Sequence, residues 1–108
     1  MTAADRTNRG YLVAWEFRPK QGAEKGFETA YGPDGVWAKL FTQGEGFIRT
    51  ELNRDLNNPR RYLTLDLWAS KQAYDRFRYD HRQEYEAIDA QCEELTEEET
   101  ELGHFERL

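Results

Sequence analysis

The chain has 108 residues, room for one domain, and its 15 Lys and Arg against 21 Asp and Glu leave a formal net charge of -6. That sign argues against a partner held mainly through a phosphate backbone, nucleic acid first among them. Apolar residues make up 38% and charged residues 33%, yet three Trp, six Tyr and six Phe carry too much ring surface for a disordered chain.

Residues 1–9 (MTAADRTNR) have no periodicity and read as a flexible N-terminal tail, with residues 10–108 as the folded domain. Tyr11 to Phe17 is rich in β-formers and predicts a first strand, closed by Arg18-Pro19 and the turn residue Gly22. Ala23, Phe27, Ala30 and Tyr31 recur at helical spacing and predict a short helix. Gly32-Pro33-Asp34-Gly35 breaks it, and Asp34 is the expected N-cap of a second short helix carrying Trp37, Leu40 and Phe41. Phe47 to Arg54 and Arg61 to Ala69 read as strands two and three, joined by turn residues at Asp55 to Pro59. Ser70 caps a long helix on which Tyr74, Phe77, His81, Tyr85, Ile88, Cys92 and Leu95 form one stripe. Thr96-Glu97-Glu98-Glu99 has the form of a capping box and predicts one further turn, and Glu101 to Arg107 a fourth strand.

The order β-α-α-β-β-α-β predicts an α+β, ferredoxin-like four-stranded antiparallel sheet with helices on one face. Strand three divides by parity. Leu63, Leu65 and Leu67 are expected to face the helices, and Tyr62, Thr64, Asp66 and Trp68 the uncovered side. An uncovered face carrying such rings implies a second copy packed sheet against sheet, a two-fold homodimer. No run of 18 apolar residues exists, the N-terminus lacks the apolar stretch of a secretory signal, and Cys92 stands alone. The expectation is a cytoplasmic protein with no membrane partner and no internal disulfide.

Strand three and the start of the long helix, Tyr62-Leu63-Thr64-Leu65-Asp66-Leu67-Trp68-Ala69-Ser70-Lys71-Gln72-Ala73-Tyr74, resemble the antibiotic-biosynthesis monooxygenase-like family. There an acidic residue and a Trp close the third strand, and a Ser and an Ala-aromatic pair open the helix. The likeness extends to Phe47 to Leu52 after Gly46 and, in element order, to the chain from Tyr11 to Leu108. The resemblance implies a dimeric α+β barrel. It also implies a family of mixed activities: quinone-forming oxygenases, haem-degrading enzymes, other small-molecule enzymes and members without known activity. The haem-degrading branch carries a Trp and a His where this chain has Phe77 and Ala87, which disfavours haem.

Cofactor signals are weak elsewhere too. Gly44-Glu45-Gly46 lacks a third glycine and precedes a strand, so no dinucleotide cradle is expected, and no cofactor is predicted. Glu101-Leu102-Gly103-His104 matches Glu-x-x-His only once, and His81 with Glu84 supplies two ligands, so no metal is predicted either. Four candidate catalytic residues remain: His81, Trp68, Asp66 and Tyr74. His81, on the apolar stripe, is either a buried imidazole bonded to Asp66, a Tyr or a carbonyl, or a general base of the side-chain type that titrates near neutrality. Trp68 and Tyr74 are either core rings or, with Trp15 and Trp37, the walls of a pocket for a flat substrate. Cys92 on the buried stripe reads as a small hydrophobe, and the acidic run from Glu93 as solvated surface.

Two functions follow. One is a cofactor-independent monooxygenase oxidising a flat phenolic or anthrone-like aromatic with O₂, in which His81 is the base, Trp68 and Tyr74 shape the pocket and Asp66 orients a polar partner. The alternative is a non-catalytic small-molecule-binding or pathway-accessory dimer of the same fold.

Overall fold

The computed structural model describes residues 10–108, so the tail expected over residues 1–9 lies outside the described residues. The elements are β1 (Tyr11–Pro19), α1 (Glu24–Tyr31), α2 (Val36–Phe41), β2 (Phe47–Arg54), β3 (Tyr62–Trp68), α3 (Lys71–Asp80), α4 (Arg82–Cys92), a 3-10 turn (Glu93–Leu95) and β4 (Thr96–Glu106). The strands form one sheet in the order β2-β3-β1-β4, every neighbouring pair antiparallel, with the helices on one face. This is the ferredoxin-like α+β arrangement. Among the described residues no helix is long and apolar enough to cross a membrane.

Ser70 caps α3 as expected, its Oγ accepting from the Ala73 N–H at 3.1 Å. Three local expectations need correction. Asp34 does not cap α2; Gly35 is the N-cap and no side chain caps it. A Cβ at Gly35 would lie 2.3 Å from the Thr29 and Ala30 carbonyl oxygens, so this glycine lets α2 start hard against the end of α1. The long helix is not continuous: at His81 the backbone turns to φ -116, ψ 26, although Phe77 and Tyr85 still bond through it. Thr96-Glu97-Glu98-Glu99 opens no helical turn; it is the first half of β4, paired to the end of β1 from Pro19 back to Phe17. Arg60 holds Glu97 there at 2.6 Å. An edge strand so rich in charge is also a poor template for further strand addition.

The largest correction concerns the faces of β3. Tyr62, Thr64 and Trp68 are 2%, 4% and 0% exposed, packed with the helices, whereas Leu63 and Leu65 point to the side that no element covers among the described residues. The helices bury mainly rings — Phe27, Tyr31, Trp37, Phe41, Tyr74 and Phe77 — and the ring-bearing side of the strand matches them. Asp66 can follow its neighbours inward because Thr50, opposite it on β2, supplies a hydrogen bond. The uncovered face is therefore the one with Leu12, Leu63 and Leu65, together with Ile48 (46% exposed) and Phe105 (49% exposed) near its borders.

Candidate active site

Four inward residues of β3 set the site: Tyr62, Thr64, Asp66 and Trp68. They run large, small, small, large. Around Trp68 the layer is closed: its ring lies 5.0 Å from Phe77, 5.1 Å from Phe47, 5.6 Å from Tyr74 and 5.9 Å from Phe41. A Cβ at Gly44 would come within 2.8 Å of Phe77 and 3.0 Å of Trp68. Over Thr64 and Asp66 the layer is hollow. A cavity of about 50 Å³ opens there, lined by Trp15, Phe17 and Glu99 from the outer half of the sheet, and by Thr50 from β2. Tyr31, Trp37, Phe41, Tyr85 and Asp89 close it from the helices.

Asp66 is the polar centre of this cavity. Thr50 Oγ1 donates to its Oδ1 at 2.8 Å, and no ion pair reaches it. Burial pushes its carboxyl up to about 6, with the Thr50 hydrogen bond pulling the other way. Burial likewise raises the phenols of Tyr31 and Tyr85, so both stand as neutral O–H groups on the wall. Trp37 is 6% exposed, with its indole N–H directed at the Tyr31 phenol and the Cys92 thiol, both of which it pulls down against the effect of burial. The arrangement can take a proton at Asp66 and offer donors, from the two phenols, to an oxygen that gains charge.

The four candidates from the sequence separate into three settings. Asp66 lines the cavity; Trp68 and Tyr74 form the packed wall beside it. Tyr74 is 7% exposed, and its hydroxyl accepts from Arg78 Nη1 at 2.9 Å while Arg78 sits 3.8 Å above the ring of Tyr85. His81 stands at the α3–α4 junction, its side chain 21% exposed, stacked on Phe77 at 5.2 Å and bonded through Nδ1 to Glu84 Oε2 at 2.8 Å. It is not bonded to Asp66 and does not line the cavity, because the bend in the helix turns it out of the stripe. Trp15 and Trp37 do line it, as the pocket-wall reading expects. Residues that the sequence alone did not single out are Tyr85, read there only as stripe, and Thr50, Thr64, Asp89 and Glu99. Thr50 was the detectable one: strands two and three as a hairpin bring a hydroxyl opposite Asp66.

Two other sites offer less. A hollow of about 550 Å³ between α1 and α2, lined by Lys25, Asp34, Val36 and Lys39 among others, is open and has no converging acid or base. Glu101 and His104 meet at 3.3 Å, with Tyr11 on the other ring nitrogen of His104. Among the described residues no three His, Cys, Asp or Glu side chains converge as metal ligands do.

Comparison with solved structures finds the same fold repeatedly. A protein from Shewanella oneidensis, SO0527, superposes with a TM-score of 0.65 at 22% identity, covering 91% of this chain and 90% of that one. A conserved protein from Methanosarcina mazei gives 0.64 at 17%, covering 97% and 99%. SnoaB, a cofactor-independent oxygenase from Streptomyces nogalater, gives 0.59 at 19%, covering 90% and 91%. At these identities the likeness shows the fold alone. A comparison with curated proteins finds no match. Residues 10–83, from the start of β1 into α4 and through the whole β3–α3 motif, match the family described as antibiotic biosynthesis monooxygenase. The chain belongs to the antibiotic biosynthesis monooxygenase family.

Proposed function

We propose that the chain is a cofactor-independent monooxygenase that oxidises a flat phenolic or anthrone-like molecule, with Asp66 as the base. The observation that carries this is a carboxylate with its pKa raised to about 6, held by a single hydroxyl inside an aromatic cavity. Such a group is ionised at neutral pH and matched to taking a weakly acidic proton. Proton transfer moves one negative charge from Asp66 to the substrate without adding to the total in the cavity. The substrate anion then gives electrons to O₂, a C–O bond forms, and the O–O bond breaks. For an anthrone-like CH₂ the balance is CH₂ plus O₂ giving C=O plus H₂O. The protein supplies binding, deprotonation, exclusion of water and the phenol donors of Tyr31 and Tyr85.

A cavity of about 50 Å³ holds water but not a ring system. Trp15 and Tyr85 are the two lining rings that are only half-buried, and a ring-sized ligand requires one of them to move, Trp15 off Phe17 or Tyr85 away from Arg78 and Trp37. Family membership and the SnoaB-like fold support the oxygenase class. The reading also includes a homodimer packed through the uncovered Leu12, Leu63 and Leu65 face, where Ile48 and Phe105 remain exposed. Light scattering should give a dimer at micromolar concentration, and Leu65→Glu should release monomers.

Oxygen uptake with anthrone and dihydroxynaphthalene tests the chemistry. Asp66→Asn should lower the rate by about 10²–10⁴-fold, and His81→Ala by less than tenfold. A larger effect at His81 than at Asp66 would return the base to the helix junction. No uptake by the unaltered chain would leave a binding protein in place of an enzyme.

A further inference from the structure

We infer that the cavity selects aromatic ligands that carry a positively charged amino group and discriminates against anionic ones. This refines the substrate class of the site proposed above and rests on that reading only for its location. Among the described residues none of the side chains lining the cavity is Lys, Arg or His, and three are carboxylates: Asp66 on the sheet, Asp89 on α4 and Glu99 on β4. These three come from separate elements and do not converge as a metal site would, so one small ion could not satisfy them together. An organic cation spread over a ring system could.

The walls favour the same charge. Trp15, Trp37, Tyr31 and Tyr85 are among the lining rings, and the negative face of such a ring attracts an ammonium group and gives a carboxylate no such gain. The Arg78 guanidinium, stacked on the Tyr85 ring, is not part of the lining and is engaged by that ring and by the Tyr74 hydroxyl. Negative charge at the mouth is in excess: burial and repulsion from Asp89 and Glu93 hold the Glu99 carboxyl above its ordinary value. A cation there relieves that repulsion, and an anion adds to it.

Three probes with one ring system test this: naphthylmethylammonium, naphthylmethanol and naphthoate, titrated calorimetrically against the full chain at low salt. The ammonium should bind at least tenfold more tightly than the carboxylate, with the alcohol between. Combining Asp89→Asn with Glu99→Gln should shrink that gap threefold or more, whereas Glu45→Gln with Glu106→Gln, two exposed carboxylates elsewhere, should leave it. Equal or tighter binding of the carboxylate overturns the inference, as does a gap that survives the first pair, or no binding of any probe at millimolar concentration. Oxygen uptake separates the two claims. A cation preference without uptake removes the oxygenase reading alone, and Asp66-dependent uptake without a cation preference removes this inference alone.

Discussion

The two halves of the inner layer use similar residues to opposite ends. Around Trp68, four rings close on one another within 6 Å and leave no room. One to two turns of the pleat away, Trp15, Phe17, Tyr31, Trp37 and Tyr85 surround an empty space. Ring content does not separate them. The difference is what β3 sets beneath the rings: a Trp at 68, but Asp and Thr at 66 and 64. Two short polar side chains withhold the volume that one indole supplies, and the rings above them become walls. The closed half stores packing energy, and the open half holds a charge at a cost.

Substitution at the closed end should show the larger stability effect. Trp68→Ala, at 0% exposure, should cost about 3–5 kcal/mol, and Trp15→Ala, half-buried at the cavity, about 1–2 kcal/mol, both read by chemical denaturation. Equal losses would mean that the two halves are packed alike. At the open end the buried charge should register as a penalty. The Asp66 carboxyl, ordinarily at 3.8, is raised to about 6 in the folded chain, so the folded state binds its proton more tightly than the unfolded state does. Stability should therefore fall as pH rises from about 4 to about 6, and the full cost of about 3 kcal/mol should be present above that. Asp66→Asn keeps an acceptor for Thr50 and should be more stable than the parent at pH 8 but not at pH 4. A smaller effect should come from filling the hollow: Thr64→Leu should change stability by less than about 1.5 kcal/mol yet lower oxygen uptake at least tenfold.

The sequence carried the fold further than the site. The order of elements, the Ser70 cap and most of the helix stripe were legible because each rests on local chemistry: aromatic and β-forming runs, a hydroxyl before a helix, a repeat of three or four. The faces of β3 were not, because parity separates two sets of side chains without saying which set meets the helices. Leucines inside and Asp66 outside is the ordinary assignment, and it fails here because Thr50 lies across the ladder to satisfy the carboxylate. His81 was misplaced by a related assumption, that an unbroken stripe implies an unbroken helix. The backbone bends at that residue and hands the inward position to Tyr85. Trp15, Trp37, Trp68 and Tyr74 were readable either as core or as pocket walls, and ring content alone could not divide them: the first two line the cavity and the last two pack beside it.

The central claim is that Asp66 is a carboxylate kept ready for proton transfer by its burial, and it can be tested without knowing the substrate. Labelling aspartate side chains with ¹³C and following the Cγ resonance that vanishes in Asp66→Asn gives its titration directly. A midpoint near 6 is the predicted result. A midpoint near 4 would show a solvated carboxylate with no special basicity, and would contradict the account.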